Sequence, residues 1–170
     1  MAHRRSRTWA VTAVATVAST YALDAVAGAT GIALAASGLL SGVDHRALVV
    51  FLIATYAVWG LGLRANLAAN WSLLEQTGSS TSIVSKAFHD VTAARTGSVR
   101  RRRLAAAAGY LGAEIAKELP YYSGAFAATL SDSVTSDDAL VFLGGANLGA
   151  AVYEYGVARM TRIFLRRRSA

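Results

Sequence analysis

The chain has 170 residues, 54% of them hydrophobic, with one proline, no cysteine and a formal charge of +7, and a mean hydropathy of +0.39. The lack of cysteine excludes disulfides, thiolate nucleophiles, iron–sulfur ligation and zinc–thiolate sites. The positive charge gathers at the ends of apolar blocks, with no reading motif or aromatic platform beside it, so the expected partner is a lipid bilayer and not nucleic acid.

Apolar residues fall in long blocks, the pattern of membrane spans. The first block runs from Thr8 to about Gly42. As one helix it would be ~50 Å long, well beyond a ~30 Å hydrocarbon core. Either it is one tilted helix, kinked near Gly28 and Gly31, or Ala29 to Gly42 forms a re-entrant or interfacial piece. The basic run His3 to Arg7 and the triplet Ala25-Val26-Ala27 resemble parts of a cleavable leader. Apolar sequence continues past that triplet, so an uncleaved anchor is expected.

After the short polar turn Val43 to Arg46, Ala47 to about Ala69 reads as a clean second span. Asn70 to Arg103 is the longest polar stretch. Within it, Ile83, Val84, Ala87, Phe88 and Val91 share one helical face, which predicts a short amphipathic helix over Thr81–Arg95 capped by Ser79, Ser80 or Thr81. Arg100, Arg101, Arg102 and Arg103 follow it and suit the phosphate headgroups of an inner leaflet. The third span is Leu104 to Leu130, loosened by Pro120. An acidic turn, Ser131 to Asp138, leads to the fourth, Ala139 to about Ile163.

The expected fold is therefore all-α: one polytopic membrane domain over residues 1–170, with four transmembrane helices as two hairpins and a cytoplasmic amphipathic helix. The N-terminus, the 70–103 loop and the C-terminus hold nearly all the Lys and Arg, whereas the two short turns hold only Arg46. The positive-inside rule then places both termini in the cytoplasm. Arg64 and Arg159 read as snorkelling anchors. The alanine-, glycine- and arginine-rich composition fits the plasma membrane of a prokaryote.

Charge inside these blocks is the chief functional signal. Glu114, Lys117 and Glu118 lie mid-way along the third span, and Tyr110 and Tyr121 share their helical face. The fourth span aligns Asn147, Ala150, Ala151, Glu154, Ala158 and Thr161, and the first sets Asp24 among Thr20, Gly28 and Gly31. An ionised group at mid-membrane costs at least ~2.5–3.5 kcal/mol on insertion scales, so these residues should avoid lipid. The expected site is one intramembrane polar cluster of Asp24, Glu114, Lys117, Glu118, Asn147 and Glu154. With four acids against one lysine, protons or small cations would compensate the excess charge. The same residues also fit a cluster that only fixes helix register.

Two G-x-x-x-G stretches, Gly38 to Gly42 and Gly145 to Gly149, fit helix-packing motifs. Asp132, Asp137 and Asp138 form either a solvated turn or a divalent-cation site. His3, His45 and His89 lie outside the spans, which disfavours a transmembrane haem, and no cofactor or metal is expected. No Walker loop, dinucleotide fingerprint, zincin helix or G-x-S-x-G elbow is present, so no enzyme class is indicated. The leading expectation is a small multi-pass protein, oligomeric or bound to a membrane-protein partner, that transports or senses a proton or small cation. The alternatives are a non-catalytic subunit or assembly factor and an intramembrane lipid-modifying enzyme. Most of the acids lie deeper than a headgroup would, which weighs against the last.

Overall fold

The computed structural model describes residues 2–81 and 134–169, together with 98, 104, 112, 123, 124 and 130. Among these residues the fold is all-helical, with no strand. Helix α1 spans Ala2–Ala36, α2 spans His45–Thr77 and α3 spans Ser136–Ser169.

Local chemistry sets each helix end. The first helix stops at Ala36, short of the expected Gly42, because the chain turns there. Ser37 Oγ donates to the Leu34 carbonyl at 2.7 Å and accepts the Leu39 N–H at 3.2 Å. Gly38 and Gly42 then take φ of 65° and 78°, a left-handed backbone that suits glycine. Ala29–Ala36 thus continues the helix and forms no separate re-entrant segment. The expectation that Gly38 and Gly42 form a helix-packing motif is corrected by the same observation: they build the turn.

In α2, Asp44 Oδ1 accepts the Arg46 N–H at 2.9 Å as an N-cap. This helix runs on to Thr77, past the expected end at Ala69. Asn66 bonds Asn70, and Trp71 Nε1 donates to Glu75 Oε1 at 2.7 Å, two i,i+4 links that carry the helix through the polar segment. Gly78, at φ 68°, ends it and donates its N–H to the Leu74 carbonyl at 2.9 Å. At the start of α3, Thr135 and Asp138 form a reciprocal cap. Asp138 N–H donates to Thr135 Oγ1 at 3.1 Å, and Thr135 Oγ1 donates to Asp138 Oδ2 at 2.6 Å.

Residues Ala10–Ala36 and His45–Thr77 are long and apolar enough to cross a membrane. Within the apolar 18-residue core of each, only 18% and 28% is buried within the protein. Val14, Tyr21, Ile32, Val50 and Ile53 face outward. An exposed apolar surface of this kind suggests a membrane location. The third helix does not meet the same apolar threshold, since Asn147, Tyr153, Glu154 and Tyr155 interrupt its hydrophobic run. The expected third span and the expected amphipathic helix lie outside the described residues, isolated positions aside.

Close contacts group the chain into two compact units, residues 1–22, 64–116 and 156–170, and residues 23–63 with 117–155. The described part of the first unit carries nine arginines and one acid, Glu75. That of the second carries one arginine, Arg46, and five acids, Asp24, Asp44, Asp137, Asp138 and Glu154.

Candidate functional site

The second unit is organised by small residues on α3. A methyl group placed on Gly149 would come within 2.6 Å of Thr30 Oγ1 and 2.8 Å of the Val26 carbonyl oxygen. One on Gly145 would meet the Gly31 Cα at 2.9 Å, and one on Gly144 would collide with the Phe51 ring. These glycines let α1 and α2 approach the α3 backbone closely, as small-residue interfaces do. Later residues of α1 meet earlier residues of α3, so those two run antiparallel. Phe51 meets Gly144 and Gly62 meets Ala151, so α2 runs parallel to α3.

One turn beyond Ala150 and Ala151 on the same buried face sits Glu154, which is only 2% exposed. Its backbone neighbourhood on α2 is Gly62, where a methyl group would lie 3.3 Å from Glu154 Cβ and 3.3 Å from the Tyr155 ring. Asn147 is buried two turns earlier, ~10.5 Å along the helix. The wheel expectation for α3 agrees with the burial found, since Asn147, Ala150, Ala151, Glu154, Ala158 and Thr161 are all buried. Asp24, in the same unit, is half-buried two residues before Val26. Of the expected cluster, then, Asn147 and Glu154 share one buried face and Asp24 lies in their unit. Glu114, Lys117 and Glu118 fall outside the described residues, as do Arg100, Arg101, Arg102 and Arg103.

Trp59 was not among the expected site residues. It is 2% exposed, one turn before Gly62, and its ring meets Tyr56 edge-on at 5.2 Å and 81°. Its buried indole N–H has no acceptor among the described residues. A desolvated donor of that kind costs about 1–3 kcal/mol. The signal was legible: Thr55, Trp59, Gly62, Asn66 and Asn70 recur at spacings of three and four, which marks one face of a helix.

Two polar features have structural employment. Asp137 Oδ1 lies 2.6 Å from His45 Nδ1, and Asp138 caps α3. Their carboxylates border a pocket of about 370 Å³ beside Gly38, Ser41 and Leu48. Among the described residues, no group of three or more His, Asp or Glu is arranged to hold a metal ion. In the first unit, buried Asn70 donates from Nδ2 to Asn66 Oδ1 at 2.7 Å. Its Oδ1 accepts from Ser80 Oγ at 3.0 Å, Thr81 N–H at 3.1 Å and Thr81 Oγ1 at 2.8 Å. This node ties the end of α2 to the chain that leaves it.

No protein-family model, curated protein or solved structure matches this chain.

Proposed function

We propose that the protein is a four-span membrane protein that moves or senses a proton or small cation, with Glu154 as the titrating or ligating acid. The observation carrying this reading is Glu154 itself, a carboxylate 2% exposed where α3 packs against Gly62 of α2. Buried ionisable groups in such surroundings are expensive, and function is the usual reason they persist. Asn147 and Asp24 would complete the site from the described residues, joined by Glu114, Lys117 and Glu118 of the third span.

The charge distribution supports an orientation. Arginines dominate the unit holding both chain ends, and acids dominate the unit holding the 37–44 turn and the start of α3. Positive-inside placement then puts both termini in the cytoplasm, and the alanine-, glycine- and arginine-rich composition fits the plasma membrane of a prokaryote. Four helices enclose only a narrow polar path, which favours an oligomer.

The test is proton flux in proteoliposomes. Wild-type protein should carry pH-driven flux, and Glu154→Gln should abolish it while retaining helical content and detergent-stable folding. Equal flux in both proteins would remove Glu154 from the mechanism. A second reading, a non-catalytic membrane subunit, is favoured by α3, whose composition falls short of a free-standing span. Stoichiometric co-purification with a different membrane protein, with no flux from the isolated chain, would support that reading instead.

A further inference from the structure

The last turns of α3 carry a second feature. From Gly156 to Ser169 there are five arginines, Arg159, Arg162, Arg166, Arg167 and Arg168, and no acid. The inward side of this segment is Ala158, Thr161 and Leu165, all buried, at spacings of three and four. That packing turns the five arginines outward, and all are exposed. Met160 and Phe164 are exposed among them, at 67% and 48%. The Arg168 guanidinium lies over the Phe164 ring, 5.6 Å from its centre.

Among the described residues, internal acids do not account for these arginines. Among the described residues of their unit the one acid is Glu75, which accepts from the Trp71 indole. None of the five is paired with a carboxylate among the described residues. Arg166, Arg167 and Arg168 also lie in the last turn of α3, where the backbone dipole favours cations.

We infer that Gly156–Ser169 is a binding strip for anionic lipid headgroups, with the arginines on the phosphates and Met160 and Phe164 in the acyl boundary. Guanidinium groups bind phosphate oxygens through paired N–H donors. Interfacial segments combine basic side chains that reach headgroup phosphates with apolar side chains that enter the acyl boundary. A phosphodiester backbone would leave Met160 and Phe164 in water, so the interleaving favours lipid over nucleic acid. The inference rests on the membrane reading but is independent of any transport role for Glu154.

The experiment uses the full chain in detergent micelles and measures retention of phosphatidylglycerol against phosphatidylcholine. Each arginine near an anionic surface contributes about fivefold in affinity, so Arg166→Gln, Arg167→Gln and Arg168→Gln together should weaken phosphatidylglycerol binding on the order of 100-fold. Phosphatidylcholine binding should stay unchanged. Combining Arg159→Gln with Arg162→Gln provides a second variant, expected to lose about 25-fold. A control removes equal charge through Arg4→Gln, Arg5→Gln and Arg7→Gln and should lose much less.

Equal loss in the control and the triple α3 variant would overturn the strip in favour of diffuse charge. Displacement of phosphatidylglycerol by a short oligonucleotide at equal phosphate would overturn it in favour of nucleic acid. A detergent-requiring protein that holds both lipids equally would refute this inference alone. A protein soluble and monodisperse without detergent would refute the membrane reading and this inference together.

Discussion

Gly149→Ala should destabilise the protein although alanine is the better helix former. The added methyl group would sit 2.6 Å from Thr30 Oγ1 and 2.8 Å from both Thr30 Cβ and the Val26 carbonyl oxygen. Two of these atoms belong to a side chain already fixed by its 2.7 Å hydrogen bond to the Val26 carbonyl, and the third is backbone. Relief therefore requires α1 to shift relative to α3, and overpacking of this sort costs about 1–3 kcal/mol. Helix propensity returns about 0.5–1 kcal/mol, leaving a net loss of about 1 kcal/mol at mid-range and at most about 2.5 kcal/mol. For a chain of this length the mid-range loss corresponds to a fall in Tm of about 2–4 °C. Gly60→Ala and Gly156→Ala are the internal standards, because nothing lies within 4 Å of either position. Each should gain about 0.5–1 kcal/mol from propensity alone. Thermal melts in one detergent, followed by far-ultraviolet circular dichroism, give the comparison. Shifts of the same sign and size at Gly149 and Gly60 would refute the close approach of α1 to α3.

Asn70→Ala removes the acceptor of three hydrogen bonds and should cost about 2–4 kcal/mol, since the freed donors are partly buried. Limited proteolysis should show earlier cutting just after Thr77, and an unchanged cleavage pattern would count against the node. Thr135→Ala dismantles the reciprocal cap of α3 and should cost about 0.5–2 kcal/mol by chemical denaturation, with Thr135→Ser restoring most of it. Because the native chain has no cysteine, Ser41→Cys and Ser169→Cys need no background removal. An impermeant maleimide added to intact cells should label position 41 and spare position 169, and the reverse pattern would invert the proposed orientation.

The sequence foretold the parts of the fold that follow from periodicity. The buried face of α3 through Asn147, Ala150, Glu154 and Ala158 was readable because positions three and four apart stack on a helix. The glycines of α3 likewise announced a close-contact surface, which Thr30, Gly31 and Phe51 supply. The helix ends were less legible. Gly38 and Gly42 share the spacing of a packing motif, and only their backbone angles reveal a turn. The polar composition of residues 70–77 suggested a loop, yet the Asn66–Asn70 and Trp71–Glu75 pairs extend α2 through them. Hydropathy placed Glu154 within an apolar block but carried no information on its partners. The spacing places Trp59 on a legible helix face, but a tryptophan inside an apolar run reads as ordinary core until its N–H is found without an acceptor among the described residues.

Infrared difference spectroscopy of the protein in lipid nanodiscs, wild type against Glu154→Gln, reads the protonation of that single carboxyl group. A titrating Glu154 gives a protonated-carboxyl C=O band, present in wild type and missing from the variant, that changes intensity with bulk pH and shifts on exchange into D2O. Spectra that superimpose at every pH, or a band indifferent to D2O, would mean that Glu154 is an inert packing element and that the chain carries no proton through it.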